Sequence, residues 1–206
     1  DLKEHFLISM ATSFFNLIIP LRGGLAMRAV FMKKKYGYAY SDFAASIFGN
    51  YVVIFLTASI SAILLLISMY FIYGIFNIWF IAVFCGIFVG MLALIFLNIS
   101  FKSKNFLIQK INRIITGWRI IAGKRKVLFK LSMNTLLTFI AQAIIIQFTF
   151  RWLGLEIPFI KALFMTVMSL LEVFVNITPG SLGLSESLYV ISGTGLGISP
   201  GSRLLV

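Results

Sequence analysis

The chain has 206 residues, 60% of them hydrophobic and 12% charged, with a mean hydropathy of +1.02. An ordinary soluble domain carries roughly 25% charged residues, so this composition excludes that class and indicates an all-α, polytopic helical membrane protein. Eighteen Lys and Arg against six acids leave a net charge of +12, but the cations lie between apolar runs, which the positive-inside rule explains without a nucleic-acid partner. Cys85 is the sole cysteine and His5 the sole histidine, so no internal disulfide or Cys/His metal site can assemble. No metal and no cofactor is expected. The start at Asp1 and the stop at Val206 suggest a single transmembrane module, 1–206, cropped at both ends from a longer protein.

A membrane-spanning helix needs about 20 apolar residues. Phe6 to Ile19 offers fourteen before Pro20, and so reads as either a truncated span or a re-entrant half-helix. Arg22, Arg28, Lys33, Lys34 and Lys35 follow without an acid, which marks loop 22–35 as cytoplasmic. Phe43 to Tyr73 reads as a span that tilts or continues beyond the hydrocarbon core. Gly74 to Asn77 is an uncharged tight turn, and Ile78 to Ile99 completes a helical hairpin with Trp79 at the interface. The stretch 102–130 carries nine cations and no acid, again a cytoplasmic signature. Within it, Leu107, Ile111, Ile114, Trp118 and Ile121 share one helical face; this interfacial helix anchors the loop and can dock anionic lipid headgroups. Two spans separate the two basic stretches, an even number, as a shared side requires. A third span covers Leu131 to Phe150. The apolar segment Phe159 to Ile177 either crosses fully or stops near the midplane, and Leu188 to Ile198, rich in glycine, starts a returning limb or a cropped helix.

Two Pro/Gly breaks interrupt these segments, at Asn16 to Gly24 and at Asn176 to Glu186. Broken helices survive in a bilayer only where protein or a water-filled cavity satisfies the freed backbone groups, so the breaks are the candidate polar site. Arg22, with the amides of Gly23 and Gly24, has the chemistry to hold a phosphate. Arg28 reads as a snorkelling anchor, with substrate binding as the rival. Pro179, Gly180 and Gly183 shape the second break. Glu186 then binds a cationic group, carries a proton, or serves the first turn of the next helix through the macrodipole. Glu172 is an intramembrane charge, functional by default, with a structural pairing as the alternative. Asn16 and Asn176 are expected to cap freed backbone groups, and Gln142 and Gln147 to join helices. No catalytic residue is assigned. Gly183-Leu-Ser185-Glu-Ser187 lacks the final glycine of a nucleophile elbow, and Gly193-Thr-Gly195-Leu-Gly197 is not the dinucleotide fingerprint.

At its two breaks the chain resembles the flippase-like family that includes the transmembrane region of lysylphosphatidylglycerol synthase. That family carries a first motif Pro-Gly-Arg-x-Gly-Glu followed by an arginine, which Pro20, Arg22, Gly24 and Arg28 match. Its later motif, Pro-Gly-Gly-Leu-Gly followed shortly by Glu, is matched by Pro179, Gly180, Leu182, Gly183 and Glu186. Leu21 replaces the usual glycine and Leu25 the usual acid of the first motif. The resemblance implies an integral protein of a prokaryotic cytoplasmic membrane that translocates a phospholipid or lipid-linked headgroup. Aminoacyl transfer in the synthases belongs to a separate soluble domain, which these residues do not contain. The rival readings are a membrane glycosyltransferase with a polyprenyl-phosphate donor, for which only Glu156 supplies an outer-loop carboxylate, and a non-catalytic assembly subunit whose breaks permit tight packing. Anionic membrane lipids, a second copy of the chain and a soluble domain complete the expected partners.

Overall fold

The computed structural model describes residues 2–19, 23–96, 123–175 and 183–198, and among them every regular element is helical. We label them α1 (Leu2–Ile18), α2 (Gly23–Tyr36), α3 (Tyr40–Tyr73), α4 (Ile78–Phe96), α5 (Arg125–Trp152), α6 (Phe159–Ser169), α7 (Glu172–Val175) and α8 (Leu184–Gly195). Three of these, α3, α4 and α5, are long and apolar enough to cross a membrane, in agreement with the three predicted spans. The expected interfacial helix at 107–122, with Asn176, lies outside the described residues.

With 34 residues, α3 is the axis of the molecule. At 1.5 Å per residue it runs about 51 Å, well beyond the roughly 30 Å hydrocarbon core. It stops at Gly74, where a positive φ of 65° allows the backbone to reverse. The side-chain oxygen of Asn77 then accepts the N–H groups of Trp79 and Phe80, at 3.1 and 3.3 Å, and starts α4. We call this turn the far end of the bundle. The opposite end is basic: Lys33, Lys34 and Lys35 close α2, while Arg125, Lys126 and Lys130 open α5. The basic stretch 22–35 is thus mostly helix, where a loop was expected, because nothing between Leu25 and Tyr36 breaks helical pairing once Gly23 and Gly24 have begun it. Cations in the first turns of α5 oppose its macrodipole, a local cost that the rest of the helix outweighs.

In lipid there is no hydrophobic gain from bringing helices together, so close packing has to hold them. Ala58 and Ala62, one turn apart on α3, are buried with Phe80 and Phe84 of α4, Ala143 and Phe150 of α5, and Ala162 and Phe164 of α6. The small residues let the backbones approach; the aromatics fill what remains. Phe164 lies 5.3 Å from Phe80 and 6.1 Å from Phe84, ring centre to ring centre. The buried hydroxyls of Ser59 and Thr166 donate to the Phe55 and Ala162 carbonyls of their own helices, while that of Thr57 bonds to Ser132 of α5, so each donor is satisfied. Leu64, Phe71, Val89, Ile145 and Phe148 point outward, as a lipid-facing surface requires.

Two further hairpins flank this bundle. In the first, α1 and α2 run antiparallel: Glu4 pairs with Lys35 and accepts the Tyr36 hydroxyl at 2.8 Å. Lys33 lies over the Tyr40 ring, so the base of this hairpin sits at the basic end. In the second, α6 enters and α8 returns, and Lys161 donates to the Leu196 carbonyl at 2.8 Å. Lys161 also lies over the Tyr73 ring, and Gly195 packs against Phe80 and Asn77, so this base sits at the far end. The two hairpins therefore open from opposite ends of α3.

Candidate functional site

The helix at Phe159 is only eleven residues long, about 16 Å or half a hydrocarbon core. It ends at Ser169, two turn residues lead into α7, and α8 packs back along α6, with Lys161 beside Leu196. The sequence left full crossing and half crossing open; the described limbs, α6 and α8, pair as an antiparallel hairpin. Its returning limb begins at Leu184 rather than Leu188 and keeps Gly193 inside the helix.

At the tip, Ser185 donates to Glu172 at 2.7 Å. Tyr189, four residues further along the same face of α8, shares a hydrogen bond with Ser169 and lies within electrostatic reach of Glu172 and Glu186. Gly183 adopts φ 83°, a left-handed conformation that glycine alone adopts freely. Its N–H donates to the Glu186 carboxylate at 2.6 Å. Glu186 thereby closes the first turn of its own helix, the reading in which it complements the macrodipole. Ser187 donates back to the Gly183 carbonyl. Pro179 and Gly180 lie outside the described residues.

The first break is tighter. Gly23 and Gly24 are the first two residues of α2, so their N–H groups have no partner within the helix. Gly24 is buried, and a Cβ there would fall on the Thr12 carbonyl oxygen of α1. The glycine lets two backbones touch. Asn16 does not cap a freed backbone group through its oxygen: Oδ1 is buried with no hydrogen-bond partner among the described residues. The crossing at Gly24 presses α2 onto that side chain and shuts it away from donors. Arg28 is half-buried on α2. Pro20 and Arg22 lie outside the described residues, with Arg22 immediately before α2.

At the base of this hairpin the hydrogen bond from Lys35, then that from Tyr36, hold the Glu4 carboxyl below the usual carboxylate range. The same contacts with Glu4 raise Lys35 and Tyr36. Gln147 bonds to the Ile157 carbonyl at 3.3 Å, so it ties α5 to a loop instead of a neighbouring helix, while Gln142 is exposed. Sequence reasoning missed Ser185 and Tyr189 as members of the site. Their four-residue spacing after the break was the available signal. Among the described residues no group of His, Cys, Asp and Glu could hold a metal ion.

Compared with known families, residues 1–206 match the model of the lysylphosphatidylglycerol synthase transmembrane region. No curated protein and no solved structure matches the chain.

Proposed function

The chain belongs to the family of the lysylphosphatidylglycerol synthase transmembrane region, and on that premise we propose that it translocates a phospholipid or lipid-linked headgroup across the membrane. The observation that carries this reading is the pair of hairpins with bases at opposite ends of α3, each with a Pro/Gly break in the sequence between its limbs. Discontinuous helices of this kind place helix termini and freed backbone groups at mid-membrane depth, where a polar headgroup needs them.

In this reading Arg22 and the first-turn N–H groups of Gly23 and Gly24 take a phosphate, with Arg28 one turn beyond Gly24 on α2. Glu172, oriented by Ser185, and Glu186 form the acidic side, which balances Arg22, receives a cationic headgroup or carries a proton. Pro179, Gly180 and Gly183 shape that side. The basic end faces the cytoplasm of a prokaryotic cell, as its excess of Lys and Arg favours. The packing of Gly24 favours one rival, a non-catalytic assembly subunit in which the breaks serve helix contact.

The test is reconstitution of the full-length protein in vesicles, with headgroup accessibility followed over time. Arg22→Ala and Glu186→Gln are expected to slow translocation about tenfold or more, the size of a lost charge-assisted contact of about 1.4 kcal/mol. Translocation at the unmodified rate by both variants sinks the assignment. Loss of fold, instead of loss of transport alone, on replacing Gly183 would favour the assembly role.

A further inference from the structure

The far end of the bundle is opposite the basic stretches, where cations are depleted, yet the described residues place two there, Arg151 and Lys161. Both line cavities. One, of about 280 Å³, is walled by Gln147, Phe148, Arg151 and the loop Leu155–Ile157. The other, of about 240 Å³, is lined by the same loop with Lys161 and Ile198. Glu156 lines both.

The loop they share is fixed. Gln147 donates to the Ile157 carbonyl, the Leu155 N–H to the Phe150 carbonyl at 2.9 Å, and Ile157 is buried. Lys161 is already committed to the Leu196 carbonyl and the Tyr73 ring. Arg151 and Glu156 are not: among the described residues no side-chain hydrogen bond or ion pair engages either one, although they carry opposite charges and line one cavity. Such a cavity offers a forked cationic donor and a separate carboxylate, a complement to a ligand that bears a phosphate and an ammonium together. Trp152, next to Arg151 and 93% exposed, and Trp79, 77% exposed, put this end at interfacial depth, where headgroups reside.

We propose that the Arg151/Glu156 cavity binds the headgroup of a zwitterionic phospholipid, the phosphate on the Arg151 guanidinium and the ammonium on Glu156. This goes beyond the translocation reading, since it concerns the other end of the bundle and requires binding alone. A soluble phosphoethanolamine ester carries the same two charges, so the test separates the two sources.

The full-length protein is examined by native mass spectrometry with phosphatidylethanolamine, phosphatidylglycerol and glycerophosphoethanolamine. Arg151→Gln is expected to weaken retention of both lipids about tenfold, and Glu156→Gln to weaken phosphatidylethanolamine about fivefold while sparing phosphatidylglycerol, in the range of single charge-assisted contacts. Both side chains are exposed, so the variants should melt with the unmodified protein. An unchanged preference between the two lipids in Glu156→Gln overturns the proposal. Glycerophosphoethanolamine that displaces the lipid at matched concentration overturns the lipid assignment and gives the cavity to a soluble ester; failure to displace it supports the lipid.

Discussion

The two hairpins share a design, an apolar limb, a glycine break and a returning limb, but they are held in different ways. The second is seated among aromatic and small residues of three spanning helices, with Ala162, Phe164, Met165, Val167 and Met168 buried along its entering limb. The first is held to itself, by a glycine contact near its tip and an ion pair at its base, while Phe6, Leu7, Met10, Phe14 and Leu17 of α1 stay exposed. A break in a membrane helix therefore does not by itself set how firmly the hairpin is anchored; the partners of its limbs do. Exposed apolar side chains with few tertiary contacts are also the lower-stability part of a fold, so opening should begin at the first hairpin.

The largest effect should come from the seat of the second hairpin. Phe164→Ala removes a buried ring between Phe80 and Phe84 and should cost about 3–5 kcal/mol, read as a lower denaturant midpoint of the purified protein. A cost under about 1 kcal/mol would break the contrast between anchored and self-held hairpins. Next in size is the comparison of the two glycines. Gly24→Ala drives a methyl onto the Thr12 backbone and should cost about 1–3 kcal/mol. Gly183→Ala meets no neighbour but strains a left-handed backbone by about 1–2 kcal/mol. Suppression of the Gly24→Ala defect by a smaller residue at Asn16 would show that side-chain crowding dominates; no suppression would assign the defect to the backbone contact.

The smallest effect concerns the exposed base of the first hairpin, where pH acts without a large change in global stability. The Glu4 carboxyl is held below its ordinary value, so its contribution is present above about pH 4.3 and is lost as pH falls through the lowered value. Lys35 is raised, so its contribution holds below about pH 10.4 and is lost as pH rises through the raised value. Hydrogen exchange at the start of α1 should quicken at both extremes, and quicken at neutral pH in Glu4→Gln. Equal protection across the range would mean that Gly24 alone holds the limbs together.

Much of this was legible in the sequence. The spans read at Phe43 to Tyr73, Ile78 to Ile99 and Leu131 to Phe150 fall on the helices Tyr40–Tyr73, Ile78–Phe96 and Arg125–Trp152, and the Gly74–Asn77 turn follows from its composition, because both are local properties of the chain. Motif order at Pro20 and Pro179 was enough to suggest the family that the whole chain matches. The role of Gly24 was not legible: a glycine that opens an amide to a phosphate and one that admits a neighbouring backbone look alike until Thr12 is placed beside it. Ser185 and Tyr189 were missed for a related reason. A hydroxyl in an apolar run announces nothing until a carboxylate thirteen residues away meets it.

What the sequence determined alone was the number of long spans, the charge asymmetry of the ends and the positions of the breaks, since a bilayer filters helices by length and polarity residue by residue. Whether Phe159 begins a crossing or a returning hairpin was decided only in three dimensions. That choice rests on contacts such as Lys161 with Leu196, 35 residues apart, and on Gly195 fitting against Phe80. The nineteen residues from Phe159 to Ile177 are compatible with either course. Only a partner that satisfies the turn and packs both limbs makes the hairpin the stable one.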